Sequence, residues 1–159
     1  MSGELSLDTL ADRWQDAWAG KAEFRDSCTA DVQYEDPLVV EPLEGARALD
    51  DHAELLRRAL PDLRIEKTGA RLEGGEHACL PWRMLATHKG DLPSLPATNR
   101  FLVLHGLHYV QIENGEIRRA RGFFDLYDAA TQLGLLPRRG TLGETALLLL
   151  RGFGLRPRG

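Results

Sequence analysis

The chain has 159 residues, of which 43% are hydrophobic and 28% charged, with a formal net charge of −4. Those values fit one soluble domain able to bury a core without disulfides or metal. They argue against a nucleic-acid partner, for which a basic balance is usual. Charge is unevenly spread, because residues 138–159 hold five Arg and one Glu, a net +4, leaving −8 on the remainder.

Cys28 and Cys79 are the two cysteines. Two are too few for a disulfide framework, and neither stands in a Cys-x-x-Cys or Cys/His cluster that would suggest zinc. There is no helical His-x-x-x-His spacing either. The expectation is therefore reduced, structural thiols in a cytoplasmic protein, with no metal. The opening Met1-Ser-Gly-Glu-Leu-Ser lacks the basic and apolar segments of a signal peptide. The apolar run Leu147–Leu150 is too short to span a membrane.

In chain order, Asp8 or Thr9 is placed to cap a first helix that runs to about Ala19-Gly20. Leu7, Leu10, Trp14, Ala17 and Trp18 form its apolar stripe. Core packing is the simpler role for Trp18, while Trp14 is a candidate for the wall of a ligand cavity. Phe24 and Cys28 share a face if Lys21–Cys28 is a second short helix. Asp31-Val-Gln-Tyr-Glu-Asp36-Pro37 reads as a strand ended by proline, with Val32, Tyr34 and Asp36 in phase. Tyr34 and Asp36 are candidates for a pocket, although a residue before proline is often only a turn residue. Ala46–Leu60 is predicted helical and stopped by Pro61. Its apolar face holds Leu49, His52, Ala53, Leu56 and Leu60, so His52 faces inward.

After Pro61 the chain is β-rich. Strands are expected over Leu63–Arg71, His77–His88, Arg100–Glu113 and Ile117–Phe124. Trp82 and His88 share one face of the second; His88 reads as a strand-end residue packed by its neighbours. The third is apolar on both faces, as a central strand or a strand at a dimer interface is. His105 and His108 point to opposite sides of it. Asn114-Gly115 is a hairpin signal joining the last two strands. Asp125 follows Phe123-Phe124 and precedes a short helix ending at Gly134. It fits an N-cap, and it equally fits a carboxylate made usable as acid or base by the rings around it. Thr141 and Glu144 suggest one more helix start in the basic, apolar extension over residues 138–159. Helices first and an antiparallel meander after give an α+β fold: N-terminal helices packed on a curved, mostly antiparallel sheet that encloses a pocket.

Several stretches together resemble the SnoaL-like polyketide cyclases of the NTF2-like superfamily, a group that includes proteins called ester cyclases. They are the Trp14-x-x-x-Trp18 helix, Asp31-Val-x-Tyr-x-Asp-Pro-Leu38, Gly45 before the His52 helix, and Leu60-Pro-Asp-Leu63. They continue with Thr87-His-Lys-Gly-Asp91, Pro96-Ala-Thr98 with Arg100, Gly106-Leu-His-Tyr109 and Asn114-Gly-Glu-Ile117. The last is Phe124-Asp125 with Gln132-Leu-Gly-Leu-x-Pro137. The resemblance spans Trp14 to Pro137, so residues 1–137 are expected to form the domain. It implies a cone-shaped α+β fold, a homodimer or homotetramer formed through the sheet, and a hydrophobic small-molecule substrate. It also implies an intramolecular aldol cyclisation without cofactor, with Asp125 as the catalytic acid/base. Two positions depart from the family pattern: Ala97-Thr98-Asn99-Arg100 replaces Pro-Thr-Gly-Arg, and Arg121 stands where many relatives have tryptophan.

Such chemistry needs a carboxylate to move a proton from a carbon beside a carbonyl, and donors to hold the enolate. His52 and His108 join Asp125 as catalytic candidates. Trp14, Trp18, Tyr34, Asp36, Trp82, Arg121 and Phe123 are the substrate-binding candidates. On strand alternation Arg121 shares a face with Asp125, and an inward pair would lower the carboxyl pKa. Two other readings stand beside the cyclase or isomerase. One is a hydratase of epoxide-hydrolase type, activating water with Asp36, His52 and Asp125. The other is a non-catalytic ligand-binding or dimerisation protein, with Asp125 paired to Arg121.

Overall fold

Two amphipathic helices, α1 (Leu7–Trp18) and α2 (Ala46–Ala59), cover the inner face of a single curved sheet in a computed structural model of the protein, which describes residues 6–152. The strands are β1 (Cys28–Glu35), β2 (Leu43–Glu44), β3 (Arg64–Lys67), β4 (Leu72–Gly74), β5 (His77–Thr87), β6 (Phe101–Glu113) and β7 (Glu116–Phe124). Their order is β2-β1-β7-β6-β5-β3, with β4 also paired to β5. The predicted meander is present as β5-β6-β7, antiparallel throughout. At the β6–β7 turn, Asn114 and Gly115 both have positive φ, 52° and 80°. A two-residue turn of that kind matches the twist of the strands it joins.

Two expectations need correction. Lys21–Cys28 is not a helix: it holds only a 3-10 turn at Phe24–Asp26, and Cys28 opens β1, where it pairs with Ile117. An i, i+4 apolar pair such as Phe24 and Cys28 suits a single turn followed by a strand as well as it suits a helix. Leu63–Arg71 is not one strand throughout: β3 stops at Lys67, and a second short strand, β4, starts only at Leu72, both paired to the longer β5. The sheet is mostly antiparallel, as expected, with one parallel pairing, that of β1 with β7. Elsewhere the helix bounds agree closely. The first begins at a Ser6 cap, where the hydroxyl accepts from Thr9 N at 3.2 Å, rather than at Asp8 or Thr9.

Side chains tie the helices down. The buried guanidinium of Arg71 bonds the Asp8 carboxylate at 2.9 Å and also reaches Asp12. Arg57 of α2 donates to the carbonyls of Ala17 and Trp18 at 3.2 and 3.3 Å, satisfying the free end of α1 with a cation where the helix dipole favours one. Trp14, Phe24, Val32, Leu49, Val110 and Ile117 form one buried cluster; Ala59, Leu60, Leu102, Leu104 and Ala129 belong to a second. Burial pushes the Cys28 thiol up to about 12, as expected of an inert packing residue.

Beyond the sheet come α3 (Leu126–Gln132) and α4 (Leu142–Leu150). The predicted start of α4 is present: Thr141 Oγ1 accepts from Glu144 N. No residue of α4 is buried. Among the described residues no helix is long and apolar enough to cross a membrane. The remainder of the extension, 153–159, and the first five residues used in judging the leader lie outside the described residues.

Candidate active site

A cavity of about 240 Å³ opens where the two buried clusters meet. That is somewhat below the usual range for small-molecule sites, about 300–1,000 Å³. Leu56 and Leu60 of α2, Met84 of β5, Leu102 and Leu104 of β6 and Leu133 after α3 supply much of its wall. Tyr34, Asp36, His88 and His108 are the polar side chains on it, with Trp18 and Trp82. Among the described residues no Lys or Arg lines it.

Alternation along β1 brings Tyr34 and Asp36 to the same inner side, and Asp36 leaves the strand just before Pro37. Its Oδ1 accepts from the backbone N–H of Leu38 at 2.7 Å and of Val39 at 3.2 Å. Its Oδ2 accepts from the Tyr34 hydroxyl at 2.9 Å and lies 3.2 Å from His52 Nε2. The turn role and the pocket role foreseen for Asp36 therefore coexist, one on each oxygen. The side chain is 3% exposed. Burial pushes its carboxyl up, but the hydrogen bonds from His52, Leu38 and Tyr34 outweigh that, and the net effect is below the ordinary range. Asp36 is thus ionised near neutrality. Tyr34 is held protonated well above its ordinary value by burial and then by the charge on Asp36.

Gly122 of β7 makes room for this cluster. A Cβ there would lie 2.8 Å from the Tyr34 hydroxyl and 3.2 Å from Asp36 Cβ. His108, on β6, stacks on Trp18 with ring centres 5.7 Å apart and planes 11° apart. Burial lowers it to about 4, against the opposing pull of Asp36. It is a neutral imidazole at neutral pH.

His88 is 1% exposed and also borders the cavity. Its Nδ1 accepts from Thr98 N at 3.2 Å and lies 3.0 Å from Thr98 Oγ1. Its Nε2 is buried without a partner among the described residues, as are the indole N–H groups of Trp14, Trp18 and Trp82. From the sequence His88 reads only as a packed strand-end residue. The signal for more is its in-phase position with Trp82 and Met84 on β5.

The family model for SnoaL-like polyketide cyclases matches residues 8–133. The chain belongs to this family. Curated protein sequences give no match. Among solved structures, a protein described as a SnoaL-like polyketide cyclase from Jannaschia sp. CCS1 superposes with a TM-score of 0.73 at 15% identity, covering 87% of this chain and 98% of that one. TsrD from Streptomyces laurentii gives 0.71 at 18% identity, with 82% and 96% covered. A protein with a ketosteroid isomerase-like fold from Catenulispora acidiphila, in complex with trimethylamine, gives 0.65 at 16% identity, with 79% and 92% covered. These likenesses fix the fold: α+β, of the NTF2-like, ketosteroid isomerase-like type.

Within this SnoaL-like frame the site candidates divide. Tyr34, Asp36, His52, His108, Trp18 and Trp82 gather at the cavity or directly behind it. The tryptophans of α1 exchange the roles expected for them. Trp18 lines the cavity, whereas Trp14 is packed behind it against Phe24 and His108. Arg121, Phe123 and Asp125 point outward together, because Gly122 and Phe124 take the inward phase of β7. The Arg121 guanidinium lies over the Phe123 ring at 5.6 Å, and its Nε is 3.3 Å from Glu35. It is therefore not paired with Asp125; with Phe123 it borders a separate outer groove that Glu35, Asp36 and Val40 also line. Asp125 is exposed and caps α3, its Oδ1 accepting from Asp128 N at 2.9 Å. It faces an outer groove with Arg138 and Arg139, while the cavity side of α3 is Leu126, Ala129 and Ala130. The desolvation expected to act on Asp125 acts on Asp36 instead. The other family departure has a conformational reason: Asn99 has φ 57°, a left-handed value asparagine tolerates better than most residues. Among the described residues no group of three or more His, Cys, Asp and Glu side chains could hold a metal ion.

Proposed function

We propose that the protein catalyses proton transfer at a carbon beside a carbonyl in a small hydrophobic substrate, as an aldol cyclisation or an isomerisation, with Asp36 as the acid/base. The observation that carries the reading is an ionised carboxylate, almost wholly buried, on the wall of an apolar cavity that no Lys or Arg lines among the described residues. Asp36 Oδ2 takes the proton as the enolate forms. The weaker of its two side-chain contacts, His52 at 3.2 Å, is the one to give way. Neutral His108 donates to the enolate oxygen; an uncharged imidazole is a suitable donor where a full charge would be costly. After the new C–C bond forms, Asp36 returns its proton to the alkoxide. Trp18 and Trp82 supply flat walls for an aromatic ring system.

Paired variants test the assignment. Exchange of the α-protons of 2-tetralone in D₂O, followed by NMR, reads proton transfer without knowledge of the natural substrate. Asp36→Asn is expected to lower the exchange rate by roughly 10²–10⁴-fold, the usual worth of a general base, while tetralone affinity stays within about threefold. Asp125→Asn is expected to retain the wild-type rate. The opposite pattern returns the role to Asp125, and no exchange by the wild type favours the non-catalytic binding reading. Water activation is disfavoured because Asp125, the third member of its set, lies in the outer groove. The same family reading takes the protein as a homodimer through the outer sheet face.

A further inference from the structure

The cavity has a second polar end. Lys89 N and Gly90 N both donate to Ala59 O at 3.0 Å, which fixes the His88 end of β5 against the last turn of α2. His52, the partner of Asp36, lies seven residues earlier on α2. The two points of attachment on α2 are thus about two helical turns apart.

At this far end the protonation of His88 is dictated by its neighbour. A backbone amide can only donate, so the Nδ1 that accepts from Thr98 N must carry the lone pair, and the ring proton sits on Nε2. The Thr98 hydroxyl lies at the same Nδ1. The backbone is pinned as well: His88 N donates to Arg100 O at 2.9 Å, and Asn99 N donates to His88 O at 2.8 Å. The ring cannot turn to satisfy itself without breaking the Thr98 contact. What it presents is one fixed N–H, buried and without a partner among the described residues, on a ring that forms part of the cavity wall. A buried donor left unpaired is costly and calls for an explanation.

We propose that His88 is a substrate-recognition residue whose Nε2–H receives a neutral acceptor oxygen, a ketone, quinone or ester carbonyl, at the end of the substrate remote from Asp36. Among the described residues no Lys or Arg lines the cavity, which disfavours a free carboxylate there, since a buried anion needs a cation or several donors. The substrate class is therefore a flat, uncharged ring compound with one acceptor at the end remote from its acidic carbon. The inference rests on the cavity being the substrate site, but it does not need turnover.

Three two-ring probes differing in one group test it: 2-acetonaphthone, naphthalene and 2-naphthoate, titrated against the full chain by tryptophan fluorescence. The wild type is expected to bind the ketone at least tenfold tighter than the hydrocarbon or the carboxylate. In His88→Leu the ketone and naphthalene should converge to within about twofold. An unchanged preference in that variant overturns the proposal, as does a carboxylate that binds as tightly as the ketone. Because a buried substitution can impair folding, NMR of the wild-type histidine rings provides a separate test. The Nε2–H tautomer should be present, and its proton should move downfield with 2-acetonaphthone and stay put with naphthalene. An Nδ1–H tautomer, or no movement, rejects the idea. A failed preference leaves the Asp36 exchange assay untouched, and a failed exchange assay leaves the preference untouched.

Discussion

Burial acts on Asp36 and His108 alike, yet leaves one charged and the other neutral, because only Asp36 has donors enough to offset it. His108 gives a sign that can be worked out. The unfolded chain binds a proton on His108 below about 6.5, whereas the folded chain does so only below about 4. Between those values the unfolded state holds more protons, so stability falls as pH drops through the window. The loss amounts to about 3 kcal/mol at 1.36 kcal/mol per pH unit. Urea unfolding of the wild type from pH 6.5 to 4.5 should show most of that decline. His108→Phe, which keeps a ring against Trp18, should flatten it, and equal slopes in the two proteins would refute the assignment. Residue identities of this kind were partly legible in the sequence. Alternation put Tyr34 and Asp36 together, and the α2 stripe turned His52 inward. The role of His88 was not legible, since its tautomer is set by Thr98, ten residues away across a loop. Asp125 was misplaced for a simpler reason: two aromatic neighbours suggest a dry site only if both point inward, and along a strand they alternate.

Among the elements, α3 packs on the second cluster through Ala129 and is tied to the sheet by the Gln132 side chain. β7 stops at Phe124, opposite Gly106, so the first residues of β6 have lost their partner on that side. Gln132 takes over: its Oε1 accepts from Val103 N at 2.8 Å, and its Nε2 donates to Val103 O at 2.8 Å. A side-chain amide thus does what a strand backbone would, and α3 is moored over the cavity that Ala129, Ala130 and Leu133 help to line. Replacing Gln132 by Leu keeps the volume but leaves two backbone groups unpaired. It should cost about 1–3 kcal/mol in urea unfolding and speed hydrogen exchange at the Val103 amide. Unchanged exchange there would mean that packing alone holds α3. The long periodic elements α1, α2, β5, β6 and β7 were readable because each presents many residues of one period. The short connections were not, since one turn and a strand can carry the same apolar spacing as a short helix.

At the scale of the molecule, the outer sheet face remains unexplained by the chain itself. Phe101, Tyr109 and Phe123 are 53%, 45% and 47% exposed on it. Apolar groups gathered on one face are the usual mark of an interface. Light scattering should give a mass of roughly 35 kDa, twice the 17.7 kDa chain, and Tyr109→Glu should lower it to that of one chain. A wild-type monomer at micromolar concentration would exclude this interface. The α+β class and the enclosed pocket could be foreseen from element order, but the parallel pairing of β1 with β7 could not, because its partners stand nearly ninety residues apart in sequence. That pairing also orders events in time. Cys28 meets Ile117, Tyr34 meets Ala120, and the space for the Tyr34 hydroxyl is made by Gly122. Asp36 and His52 are among the earlier residues to leave the ribosome, yet their surroundings are completed only when β7 arrives. Non-local closures of this kind are slow to form. The candidate active site is thus synthesised early and assembled late, and until then the tryptophans of α1 wait for the wall that will cover them.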